Sequence, residues 1–154
     1  MRYFEGFDQV SYVTNDMARG MEVMQRDYDL PSFNLREIEG PARVGDSTGT
    51  IKLSVGISRF EGMKVELIQP LRDLANLYSE RLAPDREAGL AFHHVGVRVR
   101  GDDPGLWDER FADLERRGRV YFTADLGPDI KFAYTDERPI LGHFVEHYWV
   151  NGQP

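Results

Sequence analysis

The chain has 154 residues, 41% hydrophobic and 29% charged, with a formal net charge of -7; this suits one domain with its own apolar core and excludes a disordered chain. Mild acidity without a dense Lys/Arg run argues against nucleic acid as a partner. The absence of cysteine excludes disulfides, thiolate catalysis and Cys-held metals, so a metal must be held by His, Asp, Glu or an amide oxygen.

Residues 7–14 are short and rich in β-branched and aromatic side chains, which predicts a first strand. Asn15 or Asp16 offers an N-cap, and Met17, Met21, Met24 and Tyr28 recur at helical spacing, so a helix with these side chains as its core face follows and ends before Pro31. Residues 32–38, 50–58 and 63–68 read as three strands, separated by turn formers at Gly40-Pro41, a loop over 45–49 and a turn at Glu61-Gly62. Residues 71–90 carry Leu71, Leu74, Tyr78 and Leu82 at near-helical spacing, which predicts a helical connector. The pattern then restarts: a strand over 92–99, a helix capped by Asp102 or Asp103 with Trp107, Phe111 and Leu114 on its face, and strands over 119–126, 130–135 and 143–150. No stretch is apolar for long enough to span a bilayer and the N-terminus lacks a signal-peptide layout, so a cytoplasmic protein without membrane contact is expected.

The restart is an internal repeat. Phe7-Asp8-Gln9-Val10 aligns with Phe92-His93-His94-Val95, and Gly62-Met63-Lys64-Val65-Glu66 aligns with Gly142-His143-Phe144-Val145-Glu146. The alignment places one polar residue within each of four otherwise apolar strands: Gln9, Glu66, His94 and Glu146. A buried mid-strand glutamate is costly unless paired or coordinating. If the two halves pack with their sheets facing, the four side chains can converge, and two carboxylates would neutralise a divalent ion completed by imidazole nitrogen and amide oxygen. Strand alternation sends His93, His143 and His147 to the opposite face. Phe144 and Tyr148 share the parity of Glu146 and could line a pocket; Arg98 shares that of His94 and could meet an anionic substrate.

In these motifs, Asp8-Gln9-Val10, Val65-Glu66-Leu67, His94-Val95-Gly96-Val97 and Val145-Glu146 in this order, the chain resembles the vicinal oxygen chelate superfamily (glyoxalase, bleomycin resistance, dioxygenase) over nearly its whole length. The resemblance implies a single α+β domain of two βαβββ modules, about 5–70 and 91–150 joined by 71–90, forming a curved mixed sheet around a central metal and ligand cleft. The quartet is similar to the Gln/Glu/His/Glu ligand set of one group of glyoxalase I enzymes. The run Val65-Glu66-Leu67-Ile68-Gln69-Pro70-Leu71, with the connector into His93-His94, looks instead like the methylmalonyl-CoA epimerase branch, which usually carries His where Gln9 stands. Either branch implies a divalent ion (Zn, Ni, Co, Mn or Fe) and proton abstraction beside a metal-held carbonyl of a small-molecule substrate. Glu146 is then the first choice for the base and Glu66 its counterpart. A ring-cleaving dioxygenase or a metal-free small-molecule binding protein are the alternatives, and a homodimer is expected by resemblance.

Overall fold

In the computed structural model, which describes residues 2–152, the first half of the chain runs β1 (Phe7–Val13), α1 (Met17–Tyr28), β2 (Asn34–Val44), β3 (Ser47–Phe60) and β4 (Met63–Arg72). The second half runs β5 (Ala91–Arg98), α2 (Pro104–Arg116), β6 (Val120–Asp125), β7 (Ile130–Asp136), one helical turn α3 (Arg138–Leu141) and β8 (Phe144–Val150). The fold is α+β with a mixed sheet. Its strands close into one barrel in the order β1-β4-β3-β2-β6-β7-β8-β5. β1 runs parallel to β4 and β5 parallel to β8, while β1 and β5 pair antiparallel along one seam and β2 and β6 along the other.

Period-two alternation puts Leu53, Val55, Ile68, Phe122, Tyr134 and Phe144 into the barrel interior, where they form the main core cluster. Both helices pack outside. α1, capped by the Asp16 carboxylate accepting from Arg19 N, contributes Met17 and Met24 to a cluster with Leu67. Tyr28, expected on the same core face, is instead 67% exposed; it sits in the last turn, beside the left-handed Asp29 that ends the helix. α2 starts at Pro104, with Asp103 accepting from Gly105 N, and its Trp107 packs on Val99, Ala133 and Trp149.

Three segments depart from the sequence expectation. Gly40-Pro41 lies inside β2 and makes no turn: β6 pairs with β2 only over Ala42–Val44, so the missing Pro41 N–H is not needed there. Gly40 serves close approach instead, because a Cβ at this position would lie 2.7 Å from the Asp125 carbonyl oxygen. The loop over 45–49 shrinks to a Gly45-Asp46 turn closing a long hairpin, with Val44 opposite Ser47. Residues 71–90 form no continuous helix but three separate 3-10 turns. The Asp73 carboxylate accepts from Tyr78 N and Ser79 N, and Ala75 and Asn76 adopt left-handed φ values, which breaks helical continuity. The connector thereby drives Leu77 and Tyr78 into the barrel core. No helix among the described residues is long and apolar enough to cross a membrane.

Candidate metal centre

Gln9, Glu66, His94 and Glu146 come from β1, β4, β5 and β8, which are four consecutive strands of the barrel. Cross-strand pairing aligns them: Ser11 faces Glu66 on one side and His94 on the other, and Gly96 faces Gln9 and Glu146. All four side chains are buried. Gly96 is needed for this register, since a Cβ there would lie 2.7 Å from the Gln9 Cβ.

His94 Nε2 lies 3.3 Å from Glu146 Oε2 and 3.5 Å from Glu66 Oε2. Donor atoms of Glu66, His94 and Glu146 all fall within 4.8 Å of one another. A tetrahedral ion with donors at about 2.0–2.2 Å holds those donors roughly 3.2–3.6 Å apart, so the observed spacing fits a first-row divalent cation. The Gln9 Nε2 donates to Glu146 Oε2 at 2.8 Å and to Glu66 Oε2 at 3.2 Å; a half-turn of the amide would present its oxygen as a fourth donor. Ser11 Oγ donates to Glu66 Oε2 at 2.8 Å. Burial by itself pushes the Glu66 carboxyl up, but the His94 and Ser11 bonds outweigh it and hold Glu66 below the usual range. Burial likewise pushes the His94 imidazole down, and the adjacent Glu146 and Glu66 reverse this and raise it to about 9.

His93 overturns the expectation that it faces away. β1 pairs Ser11 with His94 and then Tyr12 with Phe92, so His93 is an extra, bulged residue. The bulge keeps both histidines on the barrel interior. The His93 ring stacks on Tyr78, its Nε2 lies 3.1 Å from the Leu77 carbonyl oxygen and its Nδ1 lies 2.8 Å from His94 Nδ1. A carbonyl only accepts, so His93 Nε2 carries the proton. Burial, reinforced by His94, holds His93 well below its ordinary range and therefore neutral. Its Nδ1 is then a bare acceptor for His94 Nδ1–H, which leaves His94 Nε2 as the atom aimed at the carboxylates.

His147 does lie outside the barrel, buried among Tyr3 and Arg110. His143 Nδ1 contacts the Phe144 carbonyl oxygen and His143 lines no cavity at the centre. Of the three residues expected to line a pocket, Tyr148 does so, whereas Phe144 and Arg98 do not. Phe144 is fully buried among Tyr134, Tyr121 and His93, behind the centre, and Arg98 is buried near Asp8.

The centre forms the floor of a cavity of about 380 Å³ that Gln9, Glu66 and Glu146 reach, large enough for a small organic ligand. Leu53, Val55, Ile57, Ile68 and Phe132 form an apolar part of its wall, and Tyr78 and Tyr134, whose hydroxyls lie 3.0 Å apart, stand beside the floor. On one wall Tyr148 donates to Asp8 Oδ1 at 2.6 Å, and Lys64 Nζ contacts both the Tyr148 hydroxyl and, at 3.6 Å, Asp8 Oδ2. Ser11 and Lys64 were readable from parity with Gln9 and Glu66. Asp8 and His93 were not, because each sits where the β1–β5 register shifts.

No family model matches the chain, and no curated protein matches it by sequence. Solved structures do. Methylmalonyl-CoA epimerase from Mycobacterium tuberculosis superimposes with a TM-score of 0.62 at 17% identity, covering 100% of this chain and 94% of that one. A variant of the Streptomyces coelicolor epimerase bound to 2-nitronate-propionyl-CoA gives 0.61 at 15% identity, with 98% and 99% covered. A methylmalonyl-CoA epimerase in complex with methylmalonyl-CoA and NH4+ gives 0.60 at 14%, with 97% and 96% covered. The chain therefore shares the fold of the methylmalonyl-CoA epimerases.

Proposed function

We propose that this chain is a divalent-metal-dependent enzyme that isomerises a small carbonyl compound by moving a proton on the carbon beside the carbonyl, as an epimerase or a glyoxalase-type isomerase or lyase. The observation that carries this reading is the convergence of His94 Nε2 and the Glu66 and Glu146 carboxylates at metal-ligand spacing on the floor of an apolar cavity. Gln9, Glu66, His94 and Glu146 would hold Zn, Ni, Co, Mn or Fe. Such an ion, when bound, offsets the negative charge that develops on the carbonyl oxygen as the proton leaves. Glu146 is the proposed base and Glu66 its counterpart. Ser11 and Gln9 both donate to Glu66 Oε2, whereas Gln9 is the donor to Glu146 Oε2, which leaves Glu146 less restrained for proton transfer. The βαβββ repeat and a homodimeric state belong to the same proposal and rest on the resemblance.

Protein purified without chelators should carry near one divalent ion per chain, and Glu66→Gln and Glu146→Gln should each weaken its retention. The metal-loaded protein should then exchange the substrate α-proton for deuterium in D2O, followed by NMR with methylmalonyl-CoA and, separately, with the hemithioacetal of methylglyoxal and glutathione. Failure to bind any of the five metals would sink the enzyme reading and favour a metal-free binding protein. One observation supports that second reading: Gln9 and Ser11 already give both carboxylates hydrogen-bond donors. The ring-cleaving alternative is disfavoured, since the centre supplies one histidine where that chemistry uses two.

A further inference from the structure

The inward faces of β2, β3 and β4 carry three cations beside the cavity: Arg36, Arg59 and Lys64. Lys64 has Asp8 as its partner. Neither Arg36 nor Arg59 has an acidic partner among the described residues, although the protein has an excess of seven negative charges over positive ones, a formal net charge of -7. On the outer face of the same strands the pattern is the reverse, since Lys52 pairs with Glu37 and Arg72 with Glu39. Arg59 and Lys64 are also direct cross-strand neighbours, an arrangement in which like charges repel. Two arginines without a paired carboxylate beside the cavity make that side of it attractive to an anion.

Position relative to the centre follows from register. Ile57 faces Glu66, so Arg59 is two residues along β3 from that row; Arg36 faces Val55, which faces Ile68. Strand spacing and rise put the Arg59 Cα about 8 Å and the Arg36 Cα about 12 Å from that of Glu66. Long arginine side chains would cover part of that gap. Between Arg36 and the centre lie Val55, Ile57 and Ile68, which offer no polar group; beside Arg59 stand Ile57 and Lys64, whose charge is met by Asp8.

We propose that Arg36 and Arg59 form an anion-binding rim, and that the substrate is a carbonyl compound whose anionic oxygen group is separated from the reacting carbonyl by an apolar segment. This inference rests on the metal-enzyme reading for the carbonyl end only. A guanidinium fork suits a carboxylate or a phosphoryl group.

The test uses isothermal titration of the zinc-loaded protein with 4-oxo-4-phenylbutanoate, its methyl ester, and phenyl phosphate. The acid or the phosphate should bind at least about tenfold tighter than the ester, and whichever does identifies the anion. That preference should vanish in the Arg36→Gln, Arg59→Gln double variant and persist in Arg72→Gln, whose arginine lies on the outer face. Both substituted rim positions are exposed, so folding should survive, and circular dichroism checks it. Equal binding of all three probes, or a preference unchanged in the double variant, would overturn the rim. The same titrations on metal-free protein separate the two readings: an arginine-dependent preference without any metal uptake retains the rim and rejects the metal enzyme, whereas metal uptake without the preference does the opposite.

Discussion

His93 Nδ1 lies 2.8 Å from His94 Nδ1, between two consecutive residues that a regular strand would send to opposite faces. The bulge in β5 makes the contact possible, and the connector sets its direction, because the Leu77 carbonyl oxygen holds the far nitrogen of His93. The chain from Leu77 through His93 to His94 fixes which imidazole nitrogen faces Glu66 and Glu146. Outer partners of this kind set tautomer and ring orientation in metal-binding histidines.

Replacing His93 by Phe keeps a ring to stack on Tyr78 and removes the acceptor for His94 Nδ1–H. Metal affinity should fall by about 10–100-fold, measured by competition with a chromophoric chelator, while the far-UV circular dichroism stays that of the parent. Affinity equal to the parent's would show that His94 is oriented without its neighbour.

Much of this centre was legible in the sequence. The offset between the Gln9 and His94 segments, and between the Glu66 and Glu146 segments, picked out the four residues that the barrel brings together, because period-two alternation holds at these positions and the pairing of β1, β4, β5 and β8 aligns them. What was not legible depends on irregularity. His93 and Asp8 turn inward only because the β1–β5 register shifts beside them, and alternation carries no sign of a bulge. The connector resisted reading for another reason: Leu71, Leu74, Tyr78 and Leu82 keep helical spacing, yet the Asp73 carboxylate captures the Tyr78 and Ser79 amides. Phe144 has the parity of Glu146 but is buried among His93, Tyr121 and Tyr134, outside the cavity lining. Parity fixes a face and leaves depth along the barrel undetermined.

Gly96 faces Gln9 at the β1–β5 seam, where an added methyl would meet the Gln9 Cβ at 2.7 Å, with Cγ and Cδ at 3.1 Å. Gly96→Ala should therefore displace Gln9 and destabilise the protein by about 1–3 kcal/mol, read from urea unfolding. Metal affinity should fall with it. If Gly96→Ala costs nothing, the seam is looser than its geometry.

Lys64, Asp8 and Tyr148 form a buried cluster on the cavity wall. Burial pushes the Asp8 carboxyl up, and Lys64 and Arg98 counter it in part. Lys64→Met removes the main counter-charge and should cost about 3 kcal/mol. The double variant Lys64→Met, Asp8→Leu should recover part of that loss, because the carboxylate left without Lys64 is then removed, while Arg98 and the Tyr148 hydroxyl lose Asp8 as a partner. A double-mutant cycle by urea unfolding measures the coupling; additive losses would mean that the two side chains do not stabilise each other.

His147 is fully buried outside the barrel, with its Nε2 lacking a hydrogen-bond partner among the described residues. Arg110 on α2 lies 3.4 Å from its Nδ1 and Tyr3 packs on its ring; Asp113 acts from the same helix and Arg117 from the residue that caps its C-terminus. Burial, then Arg110 and Arg117, push the imidazole down to about 3, against the weaker opposite pull of Asp113. The unfolded chain binds a proton near pH 6.5, so between that pH and about 3 it holds more protons at this site than the folded protein does. The contribution of His147 is thus complete above pH 6.5 and is lost progressively as the pH falls toward 3, on the order of a few kcal/mol. His147→Gln keeps an acceptor near Arg110 and cannot titrate. The stability difference between parent and variant, from urea unfolding at intervals from pH 7 to 4, should shift steadily in favour of the variant as the medium becomes acidic. Parallel stability curves for the two proteins would show that His147 does not carry the acid sensitivity.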